Sequence, residues 1–385
     1  MTGGLTGKFM GHAVTAAVLV VLSCLSCSGD GASPTGSAAP QKPSGDPPFS
    51  VEALKWFAGK KGAVSITYDA LWGQWRAQER LESTVRDVLR RGLRIDFEFV
   101  TAKFDHPDYM FIVEDIRDRM IPAGVHFYGH GHTHVQHDSL SFDEAFASFS
   151  RCYGLMEEWG LRPRAYSYPY GSGRREEIQR ACELAGFICA RGVTTDPALY
   201  YICPGNTAEP ENWFYLPTVP ISRDEPGYIS SHAGLTPILD EAEELGAWVI
   251  LMYHAVGFPD EWGYYPVYEF VRDIDRIAAG DVWCGNMDAV ACYIRERNAF
   301  TVVTVPVESG GANPAFDLVF RDGLDNGVFD QPLTLRFDFD DSVSVREMRC
   351  DPPLGGQAVY PVIGNEVTVD AVPDEKTRRI RVYIE

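Results

Sequence analysis

Between residues 63 and 297, short apolar runs rich in β-branched residues alternate with longer segments of helical periodicity, and this alternation restricts the fold more than any other feature of the chain. Ala63–Tyr68, Leu93–Val100, Gly124–Tyr128, Arg164–Tyr168, Phe187–Ala190, Ala247–Tyr253 and Val282–Trp283 read as strands. Arg76–Arg91, Tyr109–Met120, Phe142–Trp159, Glu176–Ala185, Tyr268–Ala278 and Met287–Arg297 read as helices, with Gly92 and Gly160 as stops. Thr194–Leu235 is less regular and rich in turn residues. Strands separated by helices pair in parallel, so the pattern predicts a parallel α/β domain of barrel type. After Phe300 the helical pattern ends. Thr301–Val307, Asp317–Phe320, Leu333–Phe339, Glu366–Val369 and Arg379–Ile384 predict strands of a small β-sandwich, joined by DG, NG, DD and GN hairpin turns.

The two ends of the composition point outward from the cytoplasm. Lys8 and His12 precede an apolar run, Ala13–Leu22, that is too short to span a bilayer and reads as a secretion signal. Cys24, after Val21, Leu22 and Ser23, resembles the acylated cysteine of a bacterial lipoprotein cleavage box; Cys27 fits it less well, and an ordinary cleaved signal is the alternative. A Ser/Gly/Pro/Ala-rich stretch up to Pro48 reads as a tether. The remaining seven cysteines are odd in number and contain no CxxC pair, which argues against a cysteine zinc site. A net charge of −20 repels phosphates, which excludes nucleic acid as a natural partner. With 45% hydrophobic residues the chain can bury a large core.

In parallel α/β folds the reactive groups gather where strands end at their carboxyl edge. Asp69, the cluster Gly129–His137, the turn Tyr168-Pro169-Tyr170-Gly171 and His254 each follow a predicted strand. Within the cluster, His130 and His134 are four residues apart, so a helical turn would bring both imidazoles to one face, as a divalent metal requires. His132 points elsewhere on such a turn, and His137 could join from one turn on. Beside a metal, Asp69 could serve as general base, His254 as general acid and the Tyr170 backbone N–H as an oxyanion donor; alone, each is equally a cap, a core residue or a turn.

These pieces, in this order, resemble the polysaccharide deacetylases over residues 60 to 300. Thr67-Tyr68-Asp69-Ala70 is similar to the family's first motif, His130-Gly131-His132-Thr133-His134 to its H-x-x-x-H metal motif, Tyr166–Gly171 with Ala185–Ala190 to its third, and Leu251–His254 to its last. The resemblance implies a distorted, incomplete (β/α) barrel followed by a small all-β sandwich-like C-terminal domain. It also implies a divalent metal ion, zinc with cobalt or nickel as alternatives, held by His130 and His134. Asp69 would be the base, His254 the acid and Tyr170 N–H part of the oxyanion hole. The substrate would be an acetylated extracellular or cell-envelope polysaccharide. Expected boundaries are 1–23 for the signal, 24–49 for the linker, 50–300 for the catalytic domain and 301–385 for the β domain. The membrane would be reached only through the lipid anchor. Two departures stand out: Ala70 replaces the family's second aspartate, its third metal ligand, and Ser167 stands where some members have arginine. Asp69, His132 or His137 would then have to complete the metal shell.

Two other readings remain open from the residues. The chain could be a non-catalytic glycan-binding lipoprotein that stacks sugars on Trp72, Trp75, Trp213 or Trp262, or a hydrolase of a non-peptide C–N bond. Asp322–Gly327 lacks the spacing of a calcium loop and reads as hairpin turns.

Overall fold

The computed structural model describes residues 46–69, 78–309 and 313–384. The signal run, Cys24 and Cys27, the tether up to residue 45, and Ala70, Trp72 and Trp75 lie outside the described residues. The strands are β1 (Phe49–Ala53), β2 (Gly62–Tyr68), β3 (Ile95–Phe99), β4 (Val125–Gly129), β5 (Ala165–Ser167), β6 (Cys189–Arg191), β7 (Val219–Pro220), β8 (Trp248–Tyr253), the short pair β9 (Ala255–Val256) and β10 (Tyr264–Tyr265), and β11 (Val282–Cys284). The helices are α1 (Gln78–Leu89), α2 (Met110–Asp115), α3 (Phe142–Glu158), α4 (Glu176–Leu184), α5 (His232–Leu245), α6 (Val267–Ala279) and α7 (Met287–Ala299).

One parallel sheet runs β6-β5-β4-β3-β2-β8-β7. β11 pairs with the first residues of β2, from Gly62 to Val64, and β3 takes over beside Thr67 and Tyr68. Beyond β6 the sheet meets the segment before β7 through an isolated bridge, Arg191 to Leu216, with Gly192 N–H donating to the Leu216 carbonyl at 3.0 Å. The barrel is therefore distorted, with one seam held by a bridge instead of a ladder.

Strand residues alternate between two environments, as a period of two demands. Val64, Ile66, Ile95, Phe97, Phe99, Val125, Phe127, Val249 and Leu251 pack outward against the helices in one core cluster. The inward set includes Ala63, Tyr128, Ala165, Trp248 and Ile250, which pack with Met287, Val290, Ala291 and Ile294 of α7. Near the carboxyl ends that inward parity falls on polar residues instead, and there the site forms.

Helix α5 was not foreseen. Gly234 and Pro237 interrupt its pattern, but Ser231 caps its start and Leu235, Ile238, Leu239 and Ala242 are buried, which outweighs the lost backbone bond.

The β region holds β12 (Thr301–Val307), β13 (Ala315–Arg321), β14 (Leu333–Phe339), β15 (Val345–Leu354), β16 (Gln357–Pro361), β17 (Glu366–Ala371) and β18 (Asp374–Ile384). A three-stranded sheet, β1-β14-β17, faces a five-stranded one, β12-β13-β18-β15-β16, across Phe49, Phe316, Leu335, Phe337 and Ile380. Two expectations are corrected here. The DG/NG, DD and GN turns at residues 322–327, 340–341 and 364–365 are not hairpins; each carries the chain from one sheet to the other, so that β14 and β17 bury their apolar faces against the sheet of β13, β15 and β18. The β region also recruits β1, from before the barrel, whose Phe49 meets Phe316 and Phe339 edge-to-face. Among the described residues no helix is long and apolar enough to cross a membrane.

Candidate active site

At the carboxyl ends of the strands, Asp69, His130, His134, Tyr170 and His254 line one cavity of about 840 Å³, together with Trp262 and Tyr228. Asp69 extends β2 by one residue, its N–H donating to the Tyr253 carbonyl at 2.9 Å. Its Oδ1 accepts hydrogen bonds from both Arg191 and Tyr128, and Arg191 also donates to the Tyr128 hydroxyl at 3.0 Å. Arg191 is fully buried, and the Asp69 side chain is 11% exposed. Burial pushes the Asp69 carboxyl up, but the Arg191 guanidinium, His130 and the two hydrogen bonds more than reverse this and lower it to about 2. Asp69 is thus a fixed anion with one oxygen tethered.

His130 follows β4, and its Nδ1 lies 2.9 Å from the Ser167 carbonyl. That contact requires a proton on Nδ1, which leaves Nε2 as the lone-pair nitrogen. Burial lowers the ring to about 3, so it is neutral. The His134 ring centroid is 4.9 Å from that of His130, and its Nδ1 is 3.1 Å from the Tyr170 hydroxyl. The expected helical turn is absent, however. Gly131 and His134 both have positive φ, at 84° and 56°. The loop backbone bonds instead to the turn at Thr101–Lys103, with Thr101 N–H on the Gly131 carbonyl and Ala102 N–H on that of His132. The two rings converge because this loop reverses on itself, and helical spacing has no part in it.

The other two histidines do not line the cavity. His132 Nδ1 sits 2.9 Å from Thr101 Oγ1, and His137 is buried and stacked on Phe149 at 4.4 Å. Neither completes a metal shell. Tyr170 has a φ of 59° in the turn at Pro169–Gly171 and leaves its side chain 70% exposed over the cavity. His254 follows β8 and meets the Trp262 ring edge-on at 4.7 Å; burial lowers its pKa. Trp262 is 51% exposed, whereas Trp213 lies away from the cavity under the Arg295 guanidinium.

Three contributors escaped the sequence reading: Arg191, Tyr128 and Glu98. Each has inward parity near a strand end, and for Arg191 and Glu98 a charge inside an apolar run was the available signal. Glu98 Oε2 lies 3.9 Å from His130 Nε2, and the residue is 6% exposed. His130 and His134 are two nitrogen donors of the kind a divalent ion of borderline softness takes, but among the described residues no carboxylate joins both of them in a group of three ligand atoms within 4.8 Å.

A second cluster, Asp96, His126 and Asp288, lies deeper in the barrel. The carboxylates occupy opposite nitrogens of one ring, at 2.9 and 3.2 Å. Only Nδ1 makes a hydrogen bond, to Asp96; Asp288 is a charged neighbour of Nε2 without a hydrogen bond to it. Burial alone would lower His126, and the two aspartates raise it overall.

No protein-family model matches the chain, and no curated protein matches it. The solved structures it resembles include polysaccharide deacetylases, family 4 carbohydrate esterases and an allantoinase. Agd3, described as a novel carbohydrate deacetylase, aligns over 84% of this chain and 65% of its own at 9% identity, TM-score 0.47. A structure described as a polysaccharide deacetylase of Mycobacterium smegmatis aligns over 64% and 94% at 18% identity, TM-score 0.45. The family 4 carbohydrate esterase of Streptomyces lividans, in complex with acetate, aligns over 60% and 95% at 16% identity, TM-score 0.38. At these values the likenesses assign no substrate or activity to this chain.

Proposed function

We propose that this chain is a metal-dependent hydrolase that removes acetyl groups from an extracellular or cell-envelope polysaccharide. The observation that carries the reading is the pairing of two converging imidazoles, His130 and His134, with a tethered, ionised Asp69 and with His254 in one cavity at the strand ends. In this reading residues 50–300 carry the chemistry and 301–385 form an accessory β domain. The signal run places the protein outside the cytoplasm, held by lipid at Cys24.

His130 and His134 would hold the ion through Nε2. When bound, zinc, cobalt or nickel lowers the pKa of a bound water toward ~7 and polarises a carbonyl. Asp69, with Oδ1 tied to Arg191 and Tyr128, would accept a proton through its other oxygen. The Tyr170 N–H, presented by a left-handed turn, donates to the acetyl oxygen as it gains charge. His254 gives a proton to the departing amine or alcohol. Burial makes His254 a readier donor once protonated. The sum is water added across one acyl bond, releasing acetate and a free sugar amine or hydroxyl.

The test is metal analysis of the purified protein together with acetate release from N-acetylated and O-acetylated glycans. Stoichiometric metal and acetate formation lost in His134→Ala are expected. No bound metal, and no acetate after adding zinc, cobalt or nickel, would overturn the reading. Glycan binding that survives chelation without acetate release would instead favour a binding protein using the exposed Tyr170 and Trp262 rings.

A further inference from the structure

Asp96, His126 and Asp288 stand apart from the cavity and contribute nothing to the proposed reaction. Asp96 on β3 and His126 on β4 are register partners, each the second residue of its strand, and Asp288 is the second residue of α7. Ile95, Phe97, Val125 and Phe127 pack outward, so Asp96 and His126 have inward parity, toward the start of α7. One ligand atom from each of the three lies within 4.8 Å of the others, and among the described residues no other group of three His, Cys, Asp or Glu meets that distance. We propose that His126 Nε2 and Asp288 bind a divalent cation of the zinc class, and that Asp96 orients the ring from its other side.

The ring is held in one tautomer. His126 Nδ1 donates to Asp96 Oδ1 at 2.9 Å, which leaves Nε2 as the lone-pair nitrogen. Asp96 is fully buried and is fixed in turn by the Met287 N–H at 3.0 Å and the Asn286 side chain at 3.1 Å. Nε2 is buried and makes no hydrogen bond, although Asp288 Oδ2 lies 3.2 Å from it. A hydrogen bond needs its acceptor near the N–H line, whereas two donors to a shared ion stand off that line. With each donor ~2.1 Å from the ion, a separation of 3.2 Å gives an angle at the ion of about 100°, near the tetrahedral value. The local charge agrees. Asp288 is 7% exposed, so two buried carboxylates face one imidazole, and the neighbouring Arg164 guanidinium is taken up by Asp330 at 3.0 Å. Carboxylates buried together without a cation are costly. An ion between His126 and Asp288 offsets that cost and ties the start of α7 to β4.

The experiment is zinc titration of the full-length chain after chelation, by calorimetry and by thermal unfolding, in a His134→Ala background that removes a ligand of the cavity. One equivalent of zinc and a zinc-dependent rise in melting temperature are expected there, and both should vanish when His126→Gln is added. Asp96→Asn in the same background should weaken zinc by about 10–100-fold although Asp96 does not touch the ion, as loss of an outer-shell carboxylate does. Should His126→Gln fail to fold by circular dichroism, Asp288→Asn takes its place, with the same loss expected. No zinc uptake in His134→Ala, or uptake that these substitutions leave unchanged, would overturn the site, and the ring would then hold a second proton in place of the ion. Either result leaves the hydrolase reading untouched, since that reading stands on His130 and His134.

Discussion

Arg191 and Asp69 form a buried ion pair beneath a cavity, with Tyr128 closing the triangle. Removing one member of such a pair leaves a buried charge uncompensated, which costs ~3–5 kcal/mol. Arg191→Met should therefore lose about that much in urea unfolding of metal-free protein, and the Arg191→Met, Asp69→Asn double variant should recover most of it. An additive double variant would show that the pair is not coupled. The pH dependence follows from the same pair. Asp69 is lowered to about 2 in the fold, below its unfolded value near ~3.9, so its contribution is present above pH ~4 and disappears as pH falls through 2. The effect is on the order of 2 kcal/mol and should be missing in Asp69→Asn. Asp69, His130, His134 and His254 were legible in the sequence because each stands out after an apolar run. Arg191 and Tyr128 were not, since what they do depends on which strands are neighbours, and no local pattern records that.

Among the elements, the loop between β8 and β10 controls where His254 sits. Gly263 has a φ of 76°, and a Cβ placed there would meet His254 Cβ at 2.7 Å. Its carbonyl also accepts from Ala255 N–H at 3.2 Å, so the backbone cannot swing aside without breaking that pairing. Gly263→Ala should displace the His254 ring and cut acetate release by tenfold or more while bound metal stays constant. Full activity would show that the ring tolerates the shift, and loss of metal would place the damage elsewhere. The histidine loop teaches the complementary lesson. An i, i+4 spacing led to the expectation of a helical turn bringing His130 and His134 together, but the rings meet without one, because the backbone of Gly131 and His132 is claimed by Thr101 and Ala102.

The barrel and the β layers belong to one compact unit, and α7 joins them. Tyr293 of α7 packs in the β core and donates to the Leu54 carbonyl at 2.8 Å, while Glu296 accepts from Gln331 N–H at 3.2 Å. Glu296 is fully buried. Burial pushes its carboxyl up to about 8; Gln331 opposes this, and Asp322 and Asp330 add to it. A folded value above the unfolded one means that the stabilisation is complete below pH ~4.3 and is lost as pH rises toward 8. Stability should fall by about 1.4 kcal/mol per pH unit across that window. Glu296→Gln should flatten the slope in thermal unfolding followed from pH 5 to pH 9. An unchanged slope would mean that another group titrates there.

The sequence by itself determined the barrel's alternation, the β character beyond residue 300 and the four polar strand ends, because periodicity and strand termini are local properties. Only the tertiary structure decided that β1 joins the C-terminal layers, that turn signals cross between sheets, and that Arg191, Tyr128 and Glu98 meet Asp69 and His130. Those outcomes depend on which residues of inward parity face one another across the curved sheet, a relation between distant segments that no stretch of the chain encodes alone.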